Sequence, residues 1–331
     1  MILASSKDMS RPSLLITRRL PAAVLERLRA SYEVTVNPDD RPLSRDTLLS
    51  ALRTYDALSP TITDKLDASL LLSEGLKVRI LANFGAGFEH IDLAAAKSAN
   101  VVVTNTPDAL TDATAELTIL LILMASRRAG EGERVLRNGK WTGWAPTQLL
   151  GMDVKGKTLG LVGFGRIAKE AARRARAALG MRIAYHSRSR ASTEEESALE
   201  AEHHTTLDSL LAASDVVSLH CPGGAATRHL INSQTLAQMK STAILINTAR
   251  GSVVDEDALA MALAQRQIAA AGLDVYEREP AVSAALQELE NAVLLPHLGS
   301  ATLEARTAMG MQMADNLDHF FAGRTPPNRV A

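Results

Sequence analysis

The stretch "TLGLVGFGRIAKEAARRARA", residues 158–177, decides the fold. An apolar run reads as a buried strand, and an amphipathic helix pattern follows it. Gly163, Gly165 and Ala168 stand between them in the spacing G-x-G-x-x-A. The first glycine permits a tight turn, and the second lets backbone approach a pyrophosphate. Ala168 lets the helix pack close to the strand, while the helix N-terminus, at Arg166 and Ile167, attracts the anion. Alone, such a motif is weak. The strand–turn–helix context and the next strand, "MRIAYHS" at 181–187, make it a dinucleotide fingerprint.

Outward from this stretch the chain reads as two strand–helix series. The second, opened by the fingerprint, continues through "VVSLHCP", "AILINTA", "AAGLDVY" and "AVLLPH". The first runs "SLLITRRL", "YEVTVN", "DALSP", "KVRILANF" and "VVVTNTP", with helix patterns such as "PAAVLERLRA" between them. Alternation of this kind predicts an α/β fold: two Rossmann-like doubly wound domains with parallel sheets. The dinucleotide-binding domain, 109–300, is inserted within a substrate domain made of 1–108 and 301–331. One long helix is expected over about 111–138, starting at Thr111 or Asp112, and another over about 301–322. Two such crossing helices predict a hinge with a cleft. "TEEESALEAEHH" (193–204) reads as a charged surface stretch, and His203–His204 as solvated rather than metal-binding.

The totals agree with a folded, soluble chain. Of 331 residues, 46% are hydrophobic and 22% charged, enough for two cores. A net charge of −1 and 3% aromatics give nothing for nucleic acid or an anionic membrane. The single cysteine, Cys221, forms no disulfide within the chain and fits a reducing, cytoplasmic compartment. "LTILLILMA" (117–125) is too short to span a bilayer and reads as a buried helix. Residues before the first strand read as a ragged start, with Met9 as an alternative initiator.

About 20 residues beyond the glycines this fingerprint usually carries an acid for the adenosine ribose. Here the positions read Ser187, Arg188, Ser189 and Arg190, and no Asp or Glu occurs between Glu170 and Glu194. A carboxylate would repel a 2′-phosphate; guanidinium beside hydroxyls would bind it. The expected cofactor is NADPH/NADP, preferred over NADH.

Three later loops carry ionisable groups after apolar strands: "INTARG" with Arg250, "LDVYEREP" with Glu279 and "LLPHLGSAT" with His297. With "NFGAGFEHID" (83–92), "VGFGRIA" and "INTARGSVVDEDAL" they resemble the D-isomer-specific 2-hydroxyacid dehydrogenases over essentially the whole chain. "ALTDATAEL", "WTGWAPTQLLG" and "YHSRSR" look most like the glyoxylate/hydroxypyruvate reductase branch. The resemblance implies reduction of a small 2-keto acid: glyoxylate to glycolate, hydroxypyruvate to D-glycerate. It implies Arg250 on the substrate carboxylate and carbonyl, which suits a planar, permanently charged fork. His297 would be the general acid, with Glu279 fixing its tautomer and favouring the imidazolium.

It further implies substrate contacts from the amides of Ala86 and Gly87 and from the loop at Leu58 and Ser59. At the cofactor it places Thr111, Cys221, Pro222 and Thr227, then Thr248, Ala249, Asp274, Gly299 and Ser300. Trp144, with Trp141 second, would reach a partner subunit's site in a homodimer; a plain dimer anchor is the competing reading. A 2-ketogluconate or other 2-keto acid reductase shares every motif, and a cofactor-sensing binding protein of the same fold stays open. No metal is expected. Phosphoglycerate dehydrogenase is disfavoured because no regulatory domain follows "GRTPPNRVA", and formate dehydrogenase because it needs no arginine-rich NADP end.

Overall fold

A computed structural model describes residues 11–331; the ragged start and Met9 lie outside the described residues. The chain divides into two compact units, one ending at Leu110 and resuming at Thr302, the other running Thr111–Ala301. At these junctions Thr111 opens one helix and Thr302 caps another.

The first unit is built on β1 (Ser13–Ile16), β2 (Glu33–Val36), β3 (Ala57–Ser59), β4 (Ile80–Ala82) and β5 (Val102–Thr104). They form a parallel sheet in the order β2-β1-β3-β4-β5. Strand side chains alternate faces, so Leu15, Leu58, Leu81 and Val103 enter one core layer. Leu14, Ile16, Ala57, Ile80 and Ala82 enter the other, covered by helices Ala22–Ser31 and Leu303–Phe321.

The second unit carries β6 (Thr158–Val162), β7 (Arg182–His186), β8 (Ala201–His203), β9 (Val216–Leu219), β10 (Ile244–Asn247), β11 (Ala270–Leu273) and β12 (Ala292–Leu294). The order is β12-β11-β10-β9-β6-β7-β8, all parallel. The order reverses at β6, so the ends of β6 and β9 mark the switch point where such sheets bind ligands. Both sheets show the α/β class read from the alternation.

One reading needs correction. The expected helix over 111–138 is two, Thr111–Ser126 and Ala129–Arg137. Arg128 takes the left-handed conformation at φ 52° and the Met152 amide takes the Ser126 carbonyl, which ends the first helix. The charged stretch 193–204 has no buried residue, as read; it is formed as helix Thr193–Leu199, with a Ser192–Glu195 capping box, and the edge strand β8. Three residues, one of them Glu202, give too little alternation to read, and pairing with Tyr185 is what makes them a strand. Among the described residues no helix is long and apolar enough to cross a membrane.

Candidate active site

In the second unit the glycine turn is shaped by its neighbours. Gly163 has φ 89°, and a Cβ there would lie 2.9 Å from the Cys221 amide and the His220 carbonyl. No other residue fits that conformation and that gap. The Gly163 amide donates to the His186 carbonyl at 2.8 Å and the His220 amide to that of Val162 at 2.8 Å. The turns after β6, β7 and β9 are thereby side by side, bringing Ser187–Arg190 and Cys221–Pro222 to the glycine loop. Burial holds the His220 imidazole down at about 4 and pushes the Cys221 thiol up.

Helix Arg166–Leu179 starts from Gly165, which offers no side-chain cap, and has no acid in its first turn. An uncapped helix N-terminus without an acid is suited to an anion. Thr111 Oγ1 is buried, and among the described residues no hydrogen-bond partner meets it. Both observations fit a bound dinucleotide. On the turn after β7, Arg188 is exposed, while Ser187 donates to the Ser189 carbonyl at 2.6 Å. Arg190 binds both oxygens of Glu196 at 2.9 Å, which holds that carboxyl down at about 2.

The ionisable loops follow β10, β11 and β12, adjacent strands of the same sheet. Asn247, 1% exposed, donates to the Arg250 carbonyl at 3.0 Å and accepts from the Ala249 amide at 3.0 Å. Gly251 lies so close to the next loop that a Cβ would meet the Tyr276 carbonyl carbon at 1.8 Å. Arg250 is thus held against the loop that bears Glu279. Glu279 Oε1 accepts from the Tyr276 amide at 3.0 Å, and Oε2 meets His297 Nδ1 at 2.8 Å. Burial pushes the Glu279 carboxyl up, but the His297 hydrogen bond and charge outweigh it, and the group lies below its ordinary value.

His297 itself is left-handed, φ 55°. That conformation costs about 1 kcal/mol or more outside glycine and persists where the surroundings impose it. Asp274 imposes it. Its carboxylate accepts from the Leu298 amide at 2.6 Å and the Gly299 amide at 2.8 Å, and its carbonyl takes the His297 amide at 2.9 Å. Burial pushes the Asp274 carboxyl up, against the pull of these amides and of His297. Tyr276 ties the same turn through its hydroxyl to the Leu295 carbonyl at 2.9 Å. Thr248 and Gly299 are joined to helix Thr111–Ser126 by Thr118, 3.0 Å, and Thr114, 3.1 Å. Ser300 is half-buried beyond them, and Thr227 donates to the Pro222 carbonyl at 2.6 Å.

Arg250, Glu279 and His297 are therefore brought together, whereas other expected residues stand differently. Leu58 and Ser59 are buried in the first unit, 0% and 1% exposed, and the Ser59 hydroxyl faces Met313 Sδ at 2.7 Å. Their side chains fill the core because both belong to β3. Ala86 and Gly87 are half-buried on the loop after β4. Trp144 and Trp141 are 82% and 52% exposed. Asn247 and Tyr276, which orient Arg250 and His297, belong to no motif of their own; an asparagine at the end of an apolar strand is the one signal the sequence offers.

The family described as D-isomer specific 2-hydroxyacid dehydrogenase, NAD binding domain, matches residues 119–299. A glyoxylate reductase from Aeropyrum pernix is 46% identical over 327 residues, covering 97% of this chain and 96% of that one. One from Thermococcus litoralis is 44% identical, covering 97% of each. The solved NADPH-dependent glyoxylate/hydroxypyruvate reductase from Sinorhizobium meliloti, in complex with NADP and malonate, superposes with TM-score 0.84 at 36% identity, covering 97% of each chain. The chain belongs to the D-isomer-specific 2-hydroxyacid dehydrogenase family. It is an oxidoreductase with a dinucleotide-binding domain.

Proposed function

We propose that the protein is an NADPH-dependent reductase of small 2-keto acids, taking glyoxylate to glycolate and hydroxypyruvate to D-glycerate. The observation that carries this reading is the Glu279–His297 contact at 2.8 Å beside the Arg250 turn. The reduced nicotinamide, when bound, supplies the hydride. Arg250 binds the substrate carboxylate and carbonyl oxygen and polarises the carbon under attack. Glu279 occupies His297 Nδ1, so Nε2 carries the proton given to the carbonyl oxygen. The amides of Ala86 and Gly87 in the first unit, the substrate domain, hold the carboxylate. Asp274, Thr248, Ala249, Gly299 and Ser300 shape the nicotinamide end, and Cys221, Pro222 and Thr227 the adenosine side.

NADPH preference is supported by the exposed Arg188 and its serine neighbours, and by Arg190 neutralising Glu196. A homodimer is supported by the exposed apolar residues Leu136, Trp141, Trp144 and Leu150 at 62%, 52%, 82% and 65%. In that dimer Trp144 is proposed to reach the partner's site, with Trp141 second.

The test is the initial rate with glyoxylate, hydroxypyruvate and 2-ketogluconate, each with NADPH and NADH. Turnover of the two small acids with NADPH is the expected result. Reduction of the larger acid alone would leave the mechanism and replace the substrate; no turnover at all would favour another keto acid or cofactor sensing. His297→Gln should lower kcat by about 10² to 10⁴ with NADPH binding retained, and near-normal kcat would remove His297 from proton transfer.

A further inference from the structure

We infer that Asn83 and Asn105 are positioning residues that aim three backbone amides, those of Ala86, Gly87 and Phe88, at the substrate carboxylate; this rests on the reading above that the loop binds it. Asn83 directly follows β4 and is 0% exposed. Its Nδ2 donates to the Gly85 carbonyl at 3.1 Å and to the Gly87 carbonyl at 2.9 Å. Asn105 Nδ2, just past β5, donates to the Ala86 carbonyl at 2.8 Å, and the Thr106 amide donates to that of Gly85 at 2.9 Å. Three consecutive carbonyls are thus tied down.

The consequence follows from peptide planarity. In a trans peptide the C=O of one residue and the N–H of the next point in opposite directions. Tying the carbonyls of Gly85, Ala86 and Gly87 inward therefore turns the amides of Ala86, Gly87 and Phe88 outward together. Among the described residues no acceptor meets these three amides. Successive N–H groups facing one way make a concavity suited to an anion. His90 Nε2 lies 3.0 Å from Asn83 Oδ1. Because Nδ2 must face the two carbonyls, this contact fixes which way the Asn83 amide is turned, with His90 as donor.

The test compares wild type with Asn83→Asp, which keeps the shape but sets an acceptor against two carbonyls, and with Asn105→Ala, which removes one tie. The expected result is a rise in KM for glyoxylate of about tenfold or more for Asn83→Asp and about threefold for Asn105→Ala. The kcat should fall less than KM rises, and the NADPH Kd should stay within about twofold, because the cofactor loops belong to the other unit. A KM unchanged in both variants, or KM and NADPH Kd worsening in step, would overturn the inference. Wild type inactive on every acid would instead sink the proposed function. In that event hydrogen exchange at Gly85 and Thr106 decides: faster exchange in the variants upholds the tie, and unchanged exchange removes it.

Discussion

Two glycine-bearing loops, one in each unit, leave the end of a parallel strand, and they are organised by different means. At Gly163–Gly165 the following helix does the work. Its own hydrogen bonds fix the first turn, its dipole adds positive potential, and the backbone of His220 and Cys221 presses so close that only glycine fits. At Gly85–Gly87 no helix follows directly, since the next one begins at Leu93. Buried amide side chains, Asn83 and Asn105, take the place of the helix. A loop built on a helix is defined by its glycines; a loop built on side-chain ties is defined by residues outside it.

The sharpest way to break this contrast is Gly163→Val. The β-branched residue would meet both a φ of 89° and backbone at 2.9 Å. It should cost about 3 kcal/mol of stability and weaken NADPH binding by about 100-fold or more, read by denaturant unfolding and fluorescence titration. Normal binding in that variant would show that the turn is not set by sterics. Next in size, Arg188→Ala should weaken NADPH by about tenfold and NADH by less than about twofold, the loss of one charge-assisted contact. Equal losses would remove the 2′-phosphate argument.

Glu279→Gln separates ties that depend on protonation from those that do not. The Glu279 carboxyl lies below its ordinary value. Its contribution to stability is therefore present above the unfolded carboxylate value and is lost as pH falls through the lowered, folded one. The Tm difference between wild type and variant should hold steady near neutrality and shrink in the acid range; a difference that grew on acidification would contradict the assignment. Smallest of all should be Gly85→Ala. A Cβ there would sit at ordinary contact, 3.4 Å from Asn83 Nδ2, so stability should change by only about 0.5 kcal/mol and NADPH binding not at all.

Legibility followed the same division. The glycine fingerprint, Arg250, Glu279 and His297 could be read because each sits in a local pattern, with an apolar strand before it and a characteristic neighbour sequence after it. The break at Arg128 and the edge strand β8 could not. One depends on the Met152 amide reaching the Ser126 carbonyl, the other on Ala201–His203 lying against β7. The resemblance puts Leu58 and Ser59 at the substrate, yet membership of β3 buries both side chains.

From the sequence alone came the α/β class, the parallel sheets and the residue types able to bind a dinucleotide and move a proton. Periodicity and short-range steric rules encode those locally. Tertiary structure decided the rest: that Asp274 bends the His297 turn, that Gly251 lets Arg250 approach the Glu279 loop, and that Asn83 and Asn105 turn the Gly85–Gly87 carbonyls inward. These are contacts between strand ends far apart in the chain. Their partners are chosen by sheet order, which no local pattern of residues contains.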